Sequence, residues 1–550
     1  MHVNDAPERS LLFPDTANHT RTTSSESQHR PEPAYLRPEG FIAPNSVLSY
    51  DELTGGTAVG RVATPDSSNF RQAILRTTQA AVLPEPALAR ALLDAFKKHM
   101  LHLYPVVEEG DLAPAGSSVL LTQALCLAGS LTRHNANDAG LSHLLYEKVK
   151  ILLMINYEDD HVQTLKALCL MSCWSAKAPD QISVDGPWHW TGIATRLAIQ
   201  MGLHKESTYT RRANASCLRR IFWHLVNGDR LQVACWGRPS LLRSKDLDVR
   251  MLSTEDFPTD DLQAHVFLQN TKLCTILDAI SDISTDKRPA RPEEVSSITS
   301  RLCDWVVRLP PELRLFDTAS ERRGFDRPTS EMFIEYFVAI ILAQNLMHKA
   351  RDKPWRTSIM SIVAASCAVS LYEEIHYREQ AVCLTPIHGF FCMASALPLL
   401  YYRPTVAHRE ASRVKQIDIL RQIMTTMSGR YGGAGMVMRK MNAVQRNLTR
   451  AACHEDDQAV FYATPQQQPP ERAHELFPFP LTFCDDLSLL ELTATSYDQF
   501  VATDLVPFEN ELDGVFRFDG YYPLMNVLDM DFGALDSSNL AQPLDTAIQV

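Results

Sequence analysis

Between residues 83 and 450, apolar side chains recur at intervals of three and four residues, which is the spacing of one face of an α-helix. The stretch PWHWTGIATRLAIQM repeats this spacing from Trp190 to Met201. Alternating runs of Val, Ile and Thr between hairpin turns, which would indicate strands, do not compete with it. The pattern predicts helices over 86–103, 117–132, 139–155, 160–176, 187–201, 216–235, 263–283, 292–308, 329–350, 357–377, 388–397 and 411–428.

Prolines separate several of these segments, as their missing N–H predicts. They stand at Pro179, Pro258, Pro310, Pro328 and Pro354. The predicted fold is all-α: one large multi-helix domain of packed antiparallel helices, with disordered N- and C-terminal tails.

Composition divides the chain into four parts. Residues 1–82 are rich in Ser, Thr, Pro, His and Asn, which predicts a disordered N-terminal segment. Residues 83–450 form the helical domain. After a predicted turn at GRYGGAG, the segment 451–484 with its TPQQQPPER run is interpreted as a linker, and 485–550 as an acidic–hydrophobic tail.

The tail carries the charge imbalance of the whole chain. From Asp485 to Val550 there are thirteen acids and one base, Arg517, which accounts for the net charge of −12. Leu, Phe, Tyr and Met are interleaved with these acids, a pattern typical of activation segments that bind a coactivator groove. Short pieces such as 527–535 are expected to fold on a partner. Two alternatives stay open: a tail that only solvates, or one that packs back on the domain through LFPFPLTF (476–483).

The helix pair at 187–235 places one charge among apolar residues. Asp185 is a plausible N-cap for the first helix and Gly202 a C-terminal stop. In the second helix, Asp229 follows Leu225 by four residues and so lies on the apolar face. Because a buried charge needs a partner, we expect Asp229 to pair with Arg238 or Arg196.

This region contains an ordered set of short sequence motifs. They are an alanine-rich helix that includes Arg196, then Gly202-Leu203-His204, Arg219-Arg220 with Trp223, Asp229-Arg230, and Gly237-Arg238-Pro239. In this order they resemble the fungal-specific transcription factor domain, the middle homology region of zinc binuclear cluster regulators, and most closely the cutinase-type activators. The resemblance covers residues 83 to 450. It implies a nuclear protein that controls metabolic or secondary-metabolite genes.

The DNA-reading module of that family, a segment of six cysteines around two zinc ions, is not in this sequence. The first cysteine is Cys126, inside the helical domain, and no Cys-x-x-Cys occurs. Cys169 and Cys173 have no paired ligand set nearby, so we expect reduced core thiols and no metal or cofactor. The irregular cysteine spacing favours a reducing cytosolic or nuclear compartment.

Residues 1–82 do not replace that module as a basic arm, since they hold seven arginines against nine acids. Duplex binding depends on clustered Lys and Arg that neutralise phosphates. Direct sequence-specific DNA binding is therefore not expected, and DNA contact is assigned to a partner, a homodimer or an upstream segment.

Three common enzyme motifs do not occur in the sequence, and its single histidines and apolar stretch have structural interpretations. The glycines at 432–435 lack the Lys-Ser/Thr of a phosphate loop, and neither Gly-x-Ser-x-Gly nor His-Glu-x-x-His occurs. His189 and His204 are single histidines, interpreted as packing or capping groups. The uncharged stretch 381–402 contains Pro386 and Pro398, which favours a core segment over a membrane span.

The sequence therefore predicts a transcriptional regulator, in the first instance an activator, and not an enzyme. The expected partners are a coactivator that binds the acidic tail and a source of DNA contact, with no membrane association. The alternative is a helical ligand-sensing or scaffold protein without a direct role in transcription.

Overall fold

The computed structural model describes residues 40–43, 46, 68–113, 118–133, 138–210, 212–286, 288–347, 357–404, 406–454 and 472–491. Across these residues the chain is mainly helical and has no β-strand; strand-like pairing is limited to two isolated bridges, Lys205–Asp248 and Phe316–Arg322. The all-α prediction is confirmed. The expectations for residues 1–39 and for 492–550, with the segment 527–535, lie outside the described residues.

Fifteen α-helices occur in the described part of the chain. They are α1 (Ser68–Thr78), α2 (Pro86–His99), α3 (Val119–Ser130), α4 (Asp138–Met154), α5 (His161–Met171), α6 (Pro187–Gln200), α7 (Ala215–Trp236), α8 (Leu262–Thr285), α9 (Pro292–Val307), α10 (Arg327–Met347), α11 (Ile359–Tyr377), α12 (Ile387–Tyr401), α13 (Ala407–Ser428), α14 (Gly432–His454) and α15 (Ala473–Leu476). Most helices pack on those that stand next to them in the chain, and α10 contacts α8, α9, α11 and α12.

Local capping explains where several helices begin. The side chain of Asp160 accepts a hydrogen bond of 2.7 Å from the Val162 amide, which satisfies a free donor of the first turn of α5. Asp185 does not cap α6 as predicted, because Gly186 takes the capping position. The Asp185 carboxylate instead lies 2.7 Å from Lys150 Nζ and accepts from the Tyr146 hydroxyl at 2.8 Å.

The core is centred on α10, α11 and α12. α11 is long and apolar enough to cross a membrane by length and composition, but most of its side chains are buried against other helices of the fold. α12, which covers the uncharged stretch, is likewise buried from His388 to Leu400. The interpretation of 381–402 as a core segment agrees with this packing.

Two predicted irregular segments are helical. Residues 68–78, inside the segment predicted to be disordered, form α1. The glycine run at 432–435, predicted to be a flexible turn, is the first turn of α14. Its Gly432 amide donates to the Ser175 carbonyl at 3.1 Å, and a Cβ at Gly432 would lie 2.4 Å from the Ala176 carbonyl oxygen. The glycine is there because two backbones meet, not because the chain bends freely.

Residues 472–491, which we call the C-terminal strap, pack on the helical domain. The hydroxyl of Tyr336 in α10 donates to the Leu476 carbonyl at 2.7 Å. Asp486 is buried, accepts from the Ser366 hydroxyl at 2.6 Å and lies 3.4 Å from Arg409. Residues 472–484 of the predicted linker and 485–491 of the predicted tail therefore pack on the helical domain, as the packing alternative anticipated.

Candidate functional site

Arg220, of the Arg219-Arg220 motif, anchors α7 to its surroundings. Arg220 is buried; it donates to the Pro105 carbonyl at 2.7 Å and to Glu108 at 2.6 Å, and it also reaches the Asp256 carbonyl. Trp223, one turn further on, donates to the Arg250 carbonyl at 2.9 Å. These side chains satisfy backbone oxygens of distant loops, so their observed contacts are structural.

Asp229 is buried as predicted, but its predicted partner is wrong. Its carboxylate accepts from the Ser240 hydroxyl at 2.8 Å and from the amides of Leu241 and Leu242, both at 3.0 Å. The ion pairs found among the described residues do not include Asp229. Three donors from one loop can stabilise a buried carboxylate without an arginine, since hydrogen bonds to a charged acceptor are strong.

The two predicted arginine partners lie elsewhere. Arg196 is exposed on α6. Arg238 donates to the Pro179 carbonyl at 2.9 Å, and its guanidinium stands 5.1 Å from the centre of the Trp188 ring. Arg238 therefore ties the segment before α6 to the end of α7 rather than neutralising Asp229.

The remaining motif residues shape the ends of α6 and α7. Gly202 and Gly237 have φ angles of +77° and +59°, the left-handed conformation that ends a helix. His204 packs edge-on against Phe41 with ring centres 4.6 Å apart, and burial lowers its pKa. Pro239 is exposed. This set positions helices and does not itself converge on one reactive site.

The structure adds a feature that the sequence motifs did not indicate: a cavity of about 410 Å³ inside the helical domain. Its walls come from the segment 172–188 and from α6, α7, α8, α10, α12 and α14. Ile182, which is fully exposed, lies on the lining, so the cavity meets solvent beside this segment. The volume falls within the range of roughly 300–1,000 Å³ that small-molecule sites occupy.

Two carboxylates one turn apart on α10 line the cavity in different states. Glu331 lies 3.0 Å from His102 and also contacts Arg327. Burial opposes its charge, but Arg327 and the hydrogen bond with His102 lower the pKa of Glu331 to about 2.

Glu335 has no such cation among its described contacts. It accepts a hydrogen bond of 3.5 Å from the Cys274 thiol, and burial raises the pKa of Glu335 to about 8. Near neutral pH this carboxyl group therefore holds its proton, which is a frequent sign of a functional group.

Three amide side chains on the lining have oxygen atoms without a hydrogen-bond partner in the part of the chain that the structure describes. They are Asn227 and Gln232 on α7 and Asn270 on α8. The assignment is firm for Asn227: the Thr271 hydroxyl donates to the Phe267 carbonyl at 2.9 Å, so it must accept from the Asn227 Nδ2 group at 2.8 Å. The Oδ1 atom of Asn227 is then an acceptor with no donor among the described residues.

The histidines on the lining add no positive charge. Burial lowers the pKa of both His224 and His388 to about 4, so both rings are neutral near pH 7. His388 is held by the Tyr372 hydroxyl, 2.9 Å from its Nδ1 atom. Lining cations lie towards the solvent side, where Lys177 is exposed and Arg238 is half-buried.

The described cysteines do not assemble a metal centre. Eleven cysteines are buried and unbridged, Cys169 and Cys173 among them. In the described ranges, no group of three or more His, Cys, Asp or Glu side chains is placed to hold a metal ion. What the arrangement can do chemically is to enclose a small molecule and present acceptor atoms to it.

Fold and cavity together define a helical domain with an internal cavity. Residues 93–329 match the family model of the fungal specific transcription factor domain. The resemblance carried by the motifs around Arg220 and Asp229 is thereby confirmed. The match spans α3 to α9 entirely and reaches the start of α10.

Curated relatives agree with this assignment. The chain is 29% identical over 255 residues to the acetamidase regulatory protein of Aspergillus oryzae, covering 43% of this chain and 32% of the relative. It is 28% identical over 280 residues to cutinase transcription factor 1 alpha of Fusarium vanettenii, covering 46% and 31%. It is 29% identical over 338 residues to the acetamidase regulatory protein of Emericella nidulans, covering 57% and 41%. The chain thus spans 31% to 41% of the length of these relatives, whose names are those of regulators rather than enzymes.

Proposed function

We propose that this protein regulates transcription in the nucleus, and that its helical domain receives a small ligand in the internal cavity. The observation that carries the proposal is the family match over residues 93–329, together with relatives that are named as regulators and transcription factors. The cavity supports the second part of the proposal, since ligand pockets in helical folds lie between helices.

The direction of control is activation, exerted through the acidic segment that follows the C-terminal strap. Its acids are interleaved with Phe, Tyr, Leu and Met, which suits insertion of apolar anchors into a groove on a coactivator. DNA contact comes from a partner, a second copy or a further segment. The genes controlled are metabolic or secondary-metabolite genes, as the family suggests.

A reporter assay in a fungal host tests the proposal. The chain is fused to a foreign DNA-binding domain and compared with the same fusion cut after Glu491. The full fusion should switch on the reporter and accumulate in the nucleus, and the shortened one should lose most activation. An inactive full fusion that is well expressed and nuclear would contradict the activator role.

The second candidate is a ligand sensor without a role in transcription, which the cavity alone favours. The two are separated by deleting the gene in its host and measuring transcripts. A sensor of this second kind would leave the transcript profile unchanged, whereas a regulator changes a defined gene set.

A further inference from the structure

One acidic side chain on the cavity wall, Glu335, has no cation among its contacts in the described structure. Glu331 and Glu335 lie four residues apart on the same helix and both line the cavity. Glu331 has Arg327 and His102, whereas Glu335 has only the weak donor Cys274. Because burying an unpaired carboxylate is costly, Glu335 stays protonated until a cation reaches it.

Acceptor atoms lie on the same part of the lining. Asn270 and Cys274 are one turn apart on α8, so the free oxygen of Asn270 and the thiol that touches Glu335 share one helix face. Asn227 is bonded to Thr271, the neighbour of Asn270, and its free oxygen also lies on the cavity. α7, α8 and α10 therefore each place a side chain with an acceptor oxygen on the wall of the cavity.

The rest of the wall is largely aromatic and aliphatic. Trp188, Trp236, Phe267 and Phe390 line the cavity with Leu225 and Leu231. Aromatic faces stabilise a nearby cation and also accept an apolar body. An anionic ligand would meet acceptor oxygens and acids in the interior, and a ligand with only acceptor groups would leave the three amide oxygens unsatisfied.

We propose that the cavity binds a small organic amine in its ammonium form, with Glu335 as the counter-ion and the side-chain oxygens of Asn227 and Asn270 as further acceptors. The inference rests on the proposed function of the cavity as a ligand site and names the ligand class. The step involves no covalent change: the ammonium enters, and the proton that Glu335 holds in the empty cavity passes to solvent.

This proton release predicts how affinity changes with pH. Below the pKa of Glu335, about 8, binding must displace a proton, so affinity for the amine rises by roughly tenfold for each pH unit between pH 6 and 7.5. Above pH 8 Glu335 is already ionised and affinity levels off. A neutral molecule of the same shape should show no such dependence.

Calorimetry on the purified full chain tests the proposal with three matched probe pairs. They are benzylamine and benzyl alcohol, cyclohexylamine and cyclohexanol, and tryptamine and tryptophol. At least one amine should bind ten times or more tightly than its alcohol at pH 7.5. Titration in buffers of different ionisation enthalpy should show release of close to one proton per amine at pH 6.5.

The Glu335→Gln variant keeps the shape of the side chain and removes its charge. It should lose the preference for amine over alcohol and the pH dependence, while Glu293→Gln, an exposed acid on α9, should change neither. Circular dichroism and melting temperature verify that Glu335→Gln is folded. Equal binding of amine and alcohol, binding of no probe, or an unchanged amine preference in Glu335→Gln would each overturn the proposal.

The binding assay contains no DNA and is separate from the reporter assay. Amine binding in a protein that leaves transcription unchanged in the host would contradict the proposed function and leave the ligand class standing. A protein that regulates transcription but whose cavity shows no preference for amines would contradict the ligand class and leave the proposed function standing.

Discussion

Removing the carboxylate of Asp229 should destabilise the protein strongly. Asp229 is 1% exposed; its Oδ2 atom accepts from one hydroxyl and two backbone amides in the loop that follows α7, and its Oδ1 atom accepts from the Leu241 amide at 3.2 Å. In Asp229→Ala these donors lose their acceptor. The buried amide of Leu242 is the most affected, because water reaches the partly exposed Ser240 and Leu241 more easily.

The size of the effect follows from these contacts. A hydrogen bond to a charged group contributes roughly 1.5–3 kcal/mol, and a buried donor left unsatisfied costs roughly 1–3 kcal/mol. Because water replaces part of the loss at Ser240 and Leu241, the terms do not simply add, and Asp229→Ala should cost about 3–5 kcal/mol in the free energy of unfolding. Asp229→Asn keeps one acceptor oxygen and should cost about half as much.

Urea denaturation followed by circular dichroism measures this free energy. Asp246→Ala is the matched control, because that acid is exposed and its ion pair in the described structure is with the nearby exposed Arg243, so its loss should cost less than about 0.5 kcal/mol. Hydrogen exchange adds a local measurement: protection of the Leu241 and Leu242 amides should fall in Asp229→Ala. A loss below about 1 kcal/mol, or unchanged protection of these amides, would refute the reasoning.

Four further predictions can be checked on purified protein or in a reporter strain. Gly432→Ala should lower stability by roughly 1–3 kcal/mol in urea denaturation, because its Cβ would meet the backbone of Ala176, and Gly435→Ala, which has space, should not. Glu335→Gln should raise the melting temperature relative to wild type at pH 8 but not at pH 4.5. The pKa of Glu335 is about 8 in the folded protein and near 4.5 in the unfolded chain, so the wild-type protein loses stability as the pH rises between these values, and the variant does not. The chain should bind duplex DNA weakly and without sequence preference in fluorescence anisotropy, and nanomolar sequence-specific binding would contradict this. In the reporter fusion, alanine at Phe516, Phe518, Tyr521, Tyr522, Leu528 and Phe532 should reduce activation more than neutralising any two acids, because the apolar anchors supply the contact area; equal losses would reduce the tail to a solubilising segment.

The helices from α2 to α13 were predictable because burial imposes a period on the sequence that can be read without knowledge of the tertiary structure, whereas α1 and α14 were not predicted. The burial of Asp229 followed from the same period, since it stands on the apolar face of α7. Its partners did not, because they depend on the direction in which the amides of residues 241 and 242 point. No spacing rule ranks a backbone donor above a nearby arginine.

The cavity could not be predicted, because its walls come from residues as far apart in the chain as Leu103 and Val437. One signal was present: Glu335 is a single acid within the apolar run MFIEYFVAIILA, where a charge needs an explanation. The prediction of a flexible turn at the glycine run 432–435 was wrong for a related reason. A contact with residues 175–178 requires a small residue there, and in sequence this cannot be told from a flexible turn.

Helix α10 carries the cavity and the C-terminal strap on adjacent residues. Glu335 faces the cavity, and the next residue, Tyr336, holds the Leu476 carbonyl while its ring stacks on Trp305 at 5.0 Å. A helix moves as a rigid rod, so a shift of α10 on ligand entry would displace both side chains together. The strap would then couple occupancy of the cavity to the position of Glu491, after which the acidic–hydrophobic tail continues.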